Sequence, residues 1–231
     1  MREVYYDFSK ARLPRTFYSG FVKRFLDIII SGLALIVLSP VLLIISVLVR
    51  VKMGSPVIFK QERPGKDEKI FTIWKFRTMN EKRGEDGELL EAGDRLTGLG
   101  LFLRRTSLDE LPEFWNVFKG DMSLIGPRPL LVKYLPYYHG REHLRHAIRP
   151  GITGLAQVNG RNYITWDERF EKDVEYVESV SFWLDVKIFF KTIKNIFVRE
   201  GVASDPNEAE LKLEIARQDS PQEPIFAEND D

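Results

Sequence analysis

From Ile28 to Val49 the chain runs 22 residues without a charge. At about 1.5 Å per residue, a helix of that length matches a hydrocarbon core of roughly 30 Å, so the pattern predicts a helix in contact with a membrane. A cleaved secretory signal fits poorly: the apolar stretch is too long, and no small-residue cleavage site separates it from a polar mature chain. Ser39-Pro40 interrupts the run at its midpoint, and a proline inside a helix costs about 3 kcal/mol. Each arm then has about 12 residues and spans roughly 18 Å, half a bilayer. Lys23 and Arg24 precede the run, and Arg50 and Lys52 follow it. Positive charge marks the cytoplasmic side, and here both ends carry it. These features predict a re-entrant helix-break-helix with its break at Ser39 and Pro40, which enters one leaflet and returns. A kinked single span is the competing reading.

Past the apolar run the period changes. Residues 56–79 alternate as a β-hairpin whose turn is expected at Glu62-Arg63-Pro64-Gly65, and they are the only convincing strand material. Residues 80–94 are polar and predict a loop, exposed or covering a site. Helical spacing follows at 98–105, 107–119, 130–147, 165–179 and 181–199, broken by Gly and Pro clusters. Residues 182–198 (FWLDVKIFFKTIKNIFV) lack a broad polar face. They predict a helix that packs on one side and meets lipid on the other, its lysine stems snorkelling, although an ordinary core helix has the same spacing. The expected fold class is α+β, mainly α: a re-entrant membrane helix-break-helix, a small β-hairpin, short helices and interfacial amphipathic helices. The expected division is an N-terminal membrane region at 1–54, a catalytic domain at the membrane interface at 55–202, and an acidic tail at 203–231.

Composition sharpens this division. With 231 residues, 44% of them apolar, the chain can bury one core of ordinary size. It has no cysteine, which excludes disulfides, thiolate metal sites and cysteine nucleophiles. Residues 203–231 hold nine Asp or Glu against two Lys or Arg, a net of −7, so the zero net charge leaves +7 on residues 1–202. The tail reads as solvated and mostly disordered. The basic body suits anionic headgroups, phosphorylated substrates or nucleic acid, and charge alone does not choose among them.

Candidate chemistry gathers in a few stretches. Arg104-Arg105-Thr106-Ser107-Leu108-Asp109-Glu110-Leu111-Pro112 puts two adjacent acids at a probable helix start. Ser107 and Glu110 fit a capping box, and first-turn acids suit the helix dipole. Pro112 would sit too deep in a helix starting at Ser107 and is natural at a first helical position, and either start puts the carboxylates at a helix N-terminus. The same end attracts phosphate, and a carboxylate nucleophile with a metal-binding neighbour can attack phosphorus. Asp121 to Pro129 and Arg149 to Asn162 set isolated arginines among rigid prolines and permissive glycines, a means of fixing a guanidinium fork on a phosphate. Surface turns held by arginines look alike. Lys75 and Arg77 share a strand face. His139, His143 and His146 would share a helix face, but no metalloprotease motif accompanies them and Gly140 interrupts the helix, so spacing alone is weak ground for a metal site. No Walker loop, Gly-x-Gly-x-x-Gly or Asp-x-Asp motif occurs.

The order of these stretches is more specific than any one of them. A Ser-Pro-broken N-terminal segment is followed by Gln-x-Arg-Pro-Gly (61–65), Lys-Phe-Arg-Thr-Met (75–79), Ser-Leu-Asp-Glu-Leu-Pro (107–112), Lys-Gly-Asp-Met-Ser-Leu-Ile-Gly-Pro-Arg-Pro (119–129) and Arg-Pro-Gly-Ile-Thr-Gly-x-Ala-Gln-Val-Asn-Gly-Arg (149–161). Over about residues 17–202 this closely resembles the bacterial sugar transferases, the monotopic phosphoglycosyl transferases. The resemblance implies transfer of a sugar 1-phosphate from a UDP-sugar to undecaprenyl phosphate, with release of UMP, at the cytoplasmic face of the bacterial inner membrane. It implies Asp109 as a covalent nucleophile that forms a phosphosugar intermediate. Glu110 would assist a Mg²⁺ cofactor bound by Asp109 and Glu110, or deprotonate the lipid phosphate. Arg104, Arg128 and Arg161 would hold phosphates or nucleotide, with Lys75 and Arg149 as further candidates. Expected partners are the two substrates, membrane lipids and downstream glycosyltransferases, with no nucleic acid, and the aromatic helix leaves room for a homodimer. The chain is expected to be the small catalytic-core form without extra spans, in a glycoprotein, capsule, exopolysaccharide or O-antigen pathway. Similarity in length and in residues 119–163 leans toward UDP-N-acetylated sugars such as UDP-N,N′-diacetylbacillosamine, with UDP-galactose and UDP-glucose open. A metal-dependent phosphate hydrolase and a non-enzymatic membrane scaffold are the alternatives.

Overall fold

The computed structural model describes Phe8 and residues 16–160, 164–198 and 213–217. A π-helical turn, Tyr18–Val22, runs into α1 (Lys23–Val37), and after Leu38 the chain resumes as α2 (Ser39–Met53), bent by 61° from the first arm. Pro40 causes the break. It falls in the first turn of α2, where a missing N–H leaves no helical bond unmade. The Ser39 hydroxyl donates to the Ile36 carbonyl at 2.8 Å and satisfies the end of α1. Each arm has 15 residues rather than about 12, because helix continues through the charged flanks. No single helix among the described residues is long and apolar enough to cross a membrane.

The first arm is built inside out. Its buried residues are Asp27 and Ser31, while Leu33, Ile36 and Val37 are more than half exposed. The Asp27 carboxylate accepts from the Leu124 N–H at 2.9 Å and the Ser123 hydroxyl at 3.1 Å. The Arg24 guanidinium donates to the carbonyls of Val117 and Phe118 at 2.6 and 2.9 Å. Those carbonyls end α5 (Glu113–Lys119), where a cation also suits the helix dipole. The second arm packs conventionally, with Ile45, Val49 and Met53 against Phe76 and Leu103.

The expected hairpin is present as β1 (Ile58–Pro64) and β2 (Ile70–Phe76), antiparallel, with Ile58 opposite Phe76 and Pro64 opposite Ile70. Its turn is later than expected, at Gly65–Lys69, because Gly65 N–H bonds to the Lys69 carbonyl at 2.8 Å and leaves Glu62 to Pro64 in the strand. Asn116 of α5 sutures the helix to β2, accepting from Trp74 N–H and donating to the Thr72 carbonyl. After the loop and a short α3 (Ala92–Arg95), α4 (Gly98–Arg105) starts at a Thr97 side-chain cap. Gly100 lies so close to β2's continuation that a Cβ would fall 1.8 Å from the Thr78 carbonyl oxygen.

The sequence pattern missed a second sheet, in which β3 (Ser123–Ile125) pairs in parallel with β4 (Gly151–Thr153). Strands of three residues between Gly and Pro loops carry no readable alternation. Their pairing depends on Gly151, whose Cβ would lie 2.1 Å from the Gly126 nitrogen. The helix expected at 130–147 is instead two 3₁₀ segments, Val132–Tyr137 and Gly140–His146. Pro136 and Gly140 explain the shorter, tighter turns. A short α6 (Leu155–Asn159) precedes α7 (Trp166–Ser179), which opens on a full Thr165–Glu168 capping box, and α8 (Phe182–Val198) follows. Trp183 and Phe190 of α8 are strongly exposed, while Ile188 is buried. Within the segment expected to be disordered, the described residues 213–217 include a helical turn, α9 (Leu213–Ala216), with Leu213 buried among Leu130, Tyr134, Tyr138 and Phe170.

Candidate active site

Asp109 and Glu110 lie in the 3₁₀ turn Leu108–Glu110, between α4 and α5. Ser107 turns the chain there with a left-handed φ of +55°, a conformation that costs a side-chain-bearing residue about 1–2 kcal/mol. An N-cap needs an extended backbone, so the expected Ser107–Glu110 capping box is not formed. Pro112 takes the N-cap position of α5, and Glu113 begins that helix. The acid pair is therefore presented by a tight turn ahead of the helix.

Asp109, Glu110, Lys75, Arg104 and Arg128 all line one cavity of about 1820 Å³. Lys75 arrives from β2, Arg104 from the last turn of α4, and Arg128 from the Pro-rich loop after β3. The Glu110 Oε1 accepts from Lys75 Nζ at 2.6 Å and from Arg128 at 2.5 Å. Arg104 is oriented by its Nε, which donates to the Thr78 hydroxyl at 3.1 Å. No group among the described residues hydrogen-bonds the Asp109 carboxylate, which is 8% exposed.

These surroundings push the two acids in opposite directions. Burial and then the neighbouring Glu110 charge raise Asp109, and Lys75, Arg104 and Arg128 offset only part of that. Burial would raise Glu110 as well, but the Arg128 and Lys75 charges and hydrogen bonds reverse it and hold the carboxyl well below its usual range. Glu110 is a fixed anion that orients two cations, whereas Asp109 is a desolvated carboxylate with unengaged oxygens. An oxygen-only donor set of this kind fits Mg²⁺, which is commonly held by one or two carboxylates plus substrate phosphates. Asp109 and the second oxygen of Glu110 are the protein ligands available to it.

Two other candidates are placed differently. Arg149 does not line the cavity; its Nε donates to the Gly120 carbonyl at 2.8 Å, at the end of α5 near Arg24. Arg161 lies outside the described residues. Part of the polar loop does reach the cavity, through Glu81, Arg83 and Leu89.

Residues 18–199 match the family model described as bacterial sugar transferase. The chain belongs to the bacterial sugar transferase family. It is 49% identical over 181 residues to an uncharacterized sugar transferase, EpsL, of Bacillus subtilis, covering 78% of this chain and 90% of that protein. It is 44% identical over 189 residues to a UDP-glucose:undecaprenyl-phosphate glucose-1-phosphate transferase of Klebsiella pneumoniae. It is 40% identical over 201 residues to a UDP-N-acetylgalactosamine-undecaprenyl-phosphate N-acetylgalactosaminephosphotransferase of Aeromonas hydrophila. These matches take in 78% and 82% of this chain but only 41% and 46% of the two longer proteins.

In this member of the family the sequence reading overlooked Glu113. Its spacing, three residues after Glu110 and four after Asp109, was the available signal. Glu113 is 1% exposed and 3.0 Å from Lys75 Nζ, so one ammonium serves two carboxylates. Burial, then the Glu110 charge, raise the Glu113 carboxyl to about 7. A raised folded-state pKa makes the protonated acid favour folding below the unfolded value and lose that contribution as pH rises through 7. Glu113→Gln, which stays neutral, is therefore expected to gain stability over wild type between pH 5 and 8, by up to about 3 kcal/mol. Thermal melts of both proteins across that range check it, and a gain that shrinks as pH rises would reverse the assignment.

Proposed function

We propose that the chain is a phosphoglycosyl transferase that moves a sugar 1-phosphate from a UDP-sugar to undecaprenyl phosphate and releases UMP. In this reading it starts bacterial glycan assembly at the cytoplasmic face of the inner membrane. The observation that carries it is the buried, unengaged Asp109 carboxylate in a cavity that Lys75, Arg104 and Arg128 also line. Asp109 attacks the phosphorus that bears the sugar; the P–O bond to the α-phosphate breaks, and UMP leaves with that oxygen. A phosphate oxygen of the lipid then attacks the same phosphorus, expels the Asp109 carboxylate and forms a polyprenyl diphosphate sugar. Two steps keep the two polyanionic substrates from reacting directly with each other. Arg128, Lys75 and Arg104 offset the charge that builds on the phosphoryl oxygens. Mg²⁺, held by Asp109 and Glu110, would add neutralisation of the same oxygens.

Glu110 serves mainly to fix Lys75 and Arg128, since a carboxylate held ionised by two cations is a weak base. The lipid phosphate, with a second pKa near about 6, needs little help to ionise.

The bent helix pair supports a re-entrant anchor that brings the cavity to headgroup height. Both arms and α8 leave large apolar side chains exposed, among them Ile36, Val37, Leu43, Val51, Trp183 and Phe190, as a lipid-facing surface requires. Leu26 and Ile30 of α1 and Phe182 and Phe189 of α8 line the cavity, an apolar wall suited to the start of a polyprenyl chain. The relatives named for glucose and N-acetylgalactosamine make those UDP-sugars the first to test, beside UDP-galactose and UDP-N,N′-diacetylbacillosamine. Purified protein in detergent with Mg²⁺ is expected to release UMP from one of them only when undecaprenyl phosphate is added beyond a single turnover. Sustained release without the lipid would identify a hydrolase, and no release from any would favour a scaffold.

A further inference from the structure

A second polar cluster lies apart from the acid pair. Glu68, from the hairpin turn, meets His143 and His146 of the 3₁₀ segment Gly140–His146, and one donor atom from each falls within 4.8 Å of the others. We propose that Glu68, His143 and His146 form a zinc site that clamps the β1–β2 hairpin tip onto the Gly140–His146 segment.

The donor set comes first. Two imidazoles and one carboxylate are a known three-ligand combination for tetrahedral Zn²⁺, with the fourth position left to water. The His143 Nδ1 stands 2.6 Å and the His146 Nδ1 3.3 Å from the same oxygen, Glu68 Oε1. Tetrahedral bonds of about 2.0–2.1 Å put donor atoms roughly 3.3 Å apart. His146 already stands at that distance from Glu68, His143 must retreat from it, and the three donor atoms all lie within 4.8 Å of one another. A 3₁₀ segment suits the task because residues i and i+3 eclipse one another. That places His143 and His146 on one side, and leaves His139 outside as the residue preceding the segment.

The surroundings are those of a ligand set. The His143 Nε2 lies 3.2 Å from the Tyr138 carbonyl. Donating its N–H there leaves the Nδ1 lone pair aimed at Glu68, the outer hydrogen bond that orients most metal-bound histidines. At 2.6 Å an Nδ1–H of His143 donates to Glu68 when no metal is bound, and a zinc ion would replace that proton on the Nδ1 lone pair. His146 is 3% exposed, its Nδ1 has only the long 3.3 Å contact with Glu68, and its Nε2 has no hydrogen-bond partner among the described residues. Leaving an imidazole so costs about 1–3 kcal/mol. Glu68 reaches the cluster through two consecutive left-handed residues, Asp67 at φ +54° and Glu68 at φ +58°. Neither is glycine, so the turn is strained to deliver this carboxylate.

The Glu68–His143 bond alone is the competing account, and metal measurements separate the two. Chelator-stripped protein is titrated with Zn²⁺ against a chromogenic competitor, with millimolar Mg²⁺ present to occupy hard oxygen sites. One tight equivalent is expected in wild type and in Glu110→Gln. Affinity should fall on the order of 100-fold or more in Glu68→Gln and His146→Asn. Zn²⁺ should raise the melting temperature of wild type and not of Glu68→Gln, and X-ray absorption should find two imidazoles on the metal. Glu68→Gln keeps hydrogen-bonding capacity, so it guards against a result due to misfolding of His146→Asn. Equal zinc affinity in wild type and Glu68→Gln, or loss of the tight equivalent in Glu110→Gln, would overturn the site. Because the readout is metal content, the outcome is independent of whether UMP is released from any UDP-sugar.

Discussion

Asp109→Asn is expected to lower acceptor-dependent UMP release by a factor on the order of 10⁴ to 10⁶, the loss typical of removing a covalent nucleophile. The carboxamide keeps the shape of the side chain but cannot form the phosphosugar ester. The same substitution is expected to leave stability unchanged or raise it. Burial and the Glu110 charge disfavour the ionised Asp109, so a neutral side chain removes a cost of folding. The Lys75 and Arg128 cations retain Glu110 as their partner. That pairing of outcomes discriminates: a residue that only held the turn would lose activity together with the melting temperature. A further readout is direct. Without lipid acceptor, wild type should retain label from the sugar-bearing phosphate on the protein, and Asp109→Asn should not. Turnover near the wild-type rate in the variant would end the nucleophile assignment.

What could be read beforehand follows from how local each feature is. The broken apolar segment, the hairpin and the helices at 166–179 and 182–198 carry their signals within a single element, so period and Pro placement reveal them. The acid pair was legible as a pair, but its setting was not. Ser107 looks like a cap in sequence and Pro112 like a helix start, and the left-handed backbone of Ser107 decides for a helix that opens at Pro112. The clustering of Lys75, Arg104 and Arg128 joins three elements, and the ordered motifs gave it where spacing could not. Arg149 illustrates the limit, since a Gly- and Pro-flanked arginine can as easily bind a helix-end carbonyl as a phosphate. Glu68 shows it most clearly. It lies 75 residues from His143, and the histidines looked unremarkable until the fold brought a carboxylate to them.

The largest stability effect is expected at the ion pair between Arg145 and Asp173, whose side chains are 1% and 3% exposed. The guanidinium donates to Asp173 through Nε and Nη2, at 3.0 and 2.7 Å, and lies over the rings of Tyr138 and Phe170. Burial raises the Asp173 carboxyl in spite of the Arg145 charge, whereas the charges and hydrogen bonds of Tyr138 and Asp173 outweigh burial at Arg145 and keep it a cation. Each buried charge depends on the other, so removing one partner is far worse than removing both. Asp173→Ala strands a buried cation and is expected to cost about 3–5 kcal/mol, a large share of a stability of roughly 5–15 kcal/mol. Arg145→Met with Asp173→Leu together is expected to recover most of that loss. Denaturant midpoints in detergent compare them, and a single-variant cost under about 1 kcal/mol would contradict the burial argument. The double variant also separates stability from function. Arg145 Nη2 donates to the backbone carbonyl of Arg128 at 2.8 Å, so the pair anchors the chain that carries the guanidinium bound to Glu110. A refolded, stable double variant should therefore still turn over more slowly, because Arg128 has lost the hydrogen bond that fixes its backbone at the cavity wall.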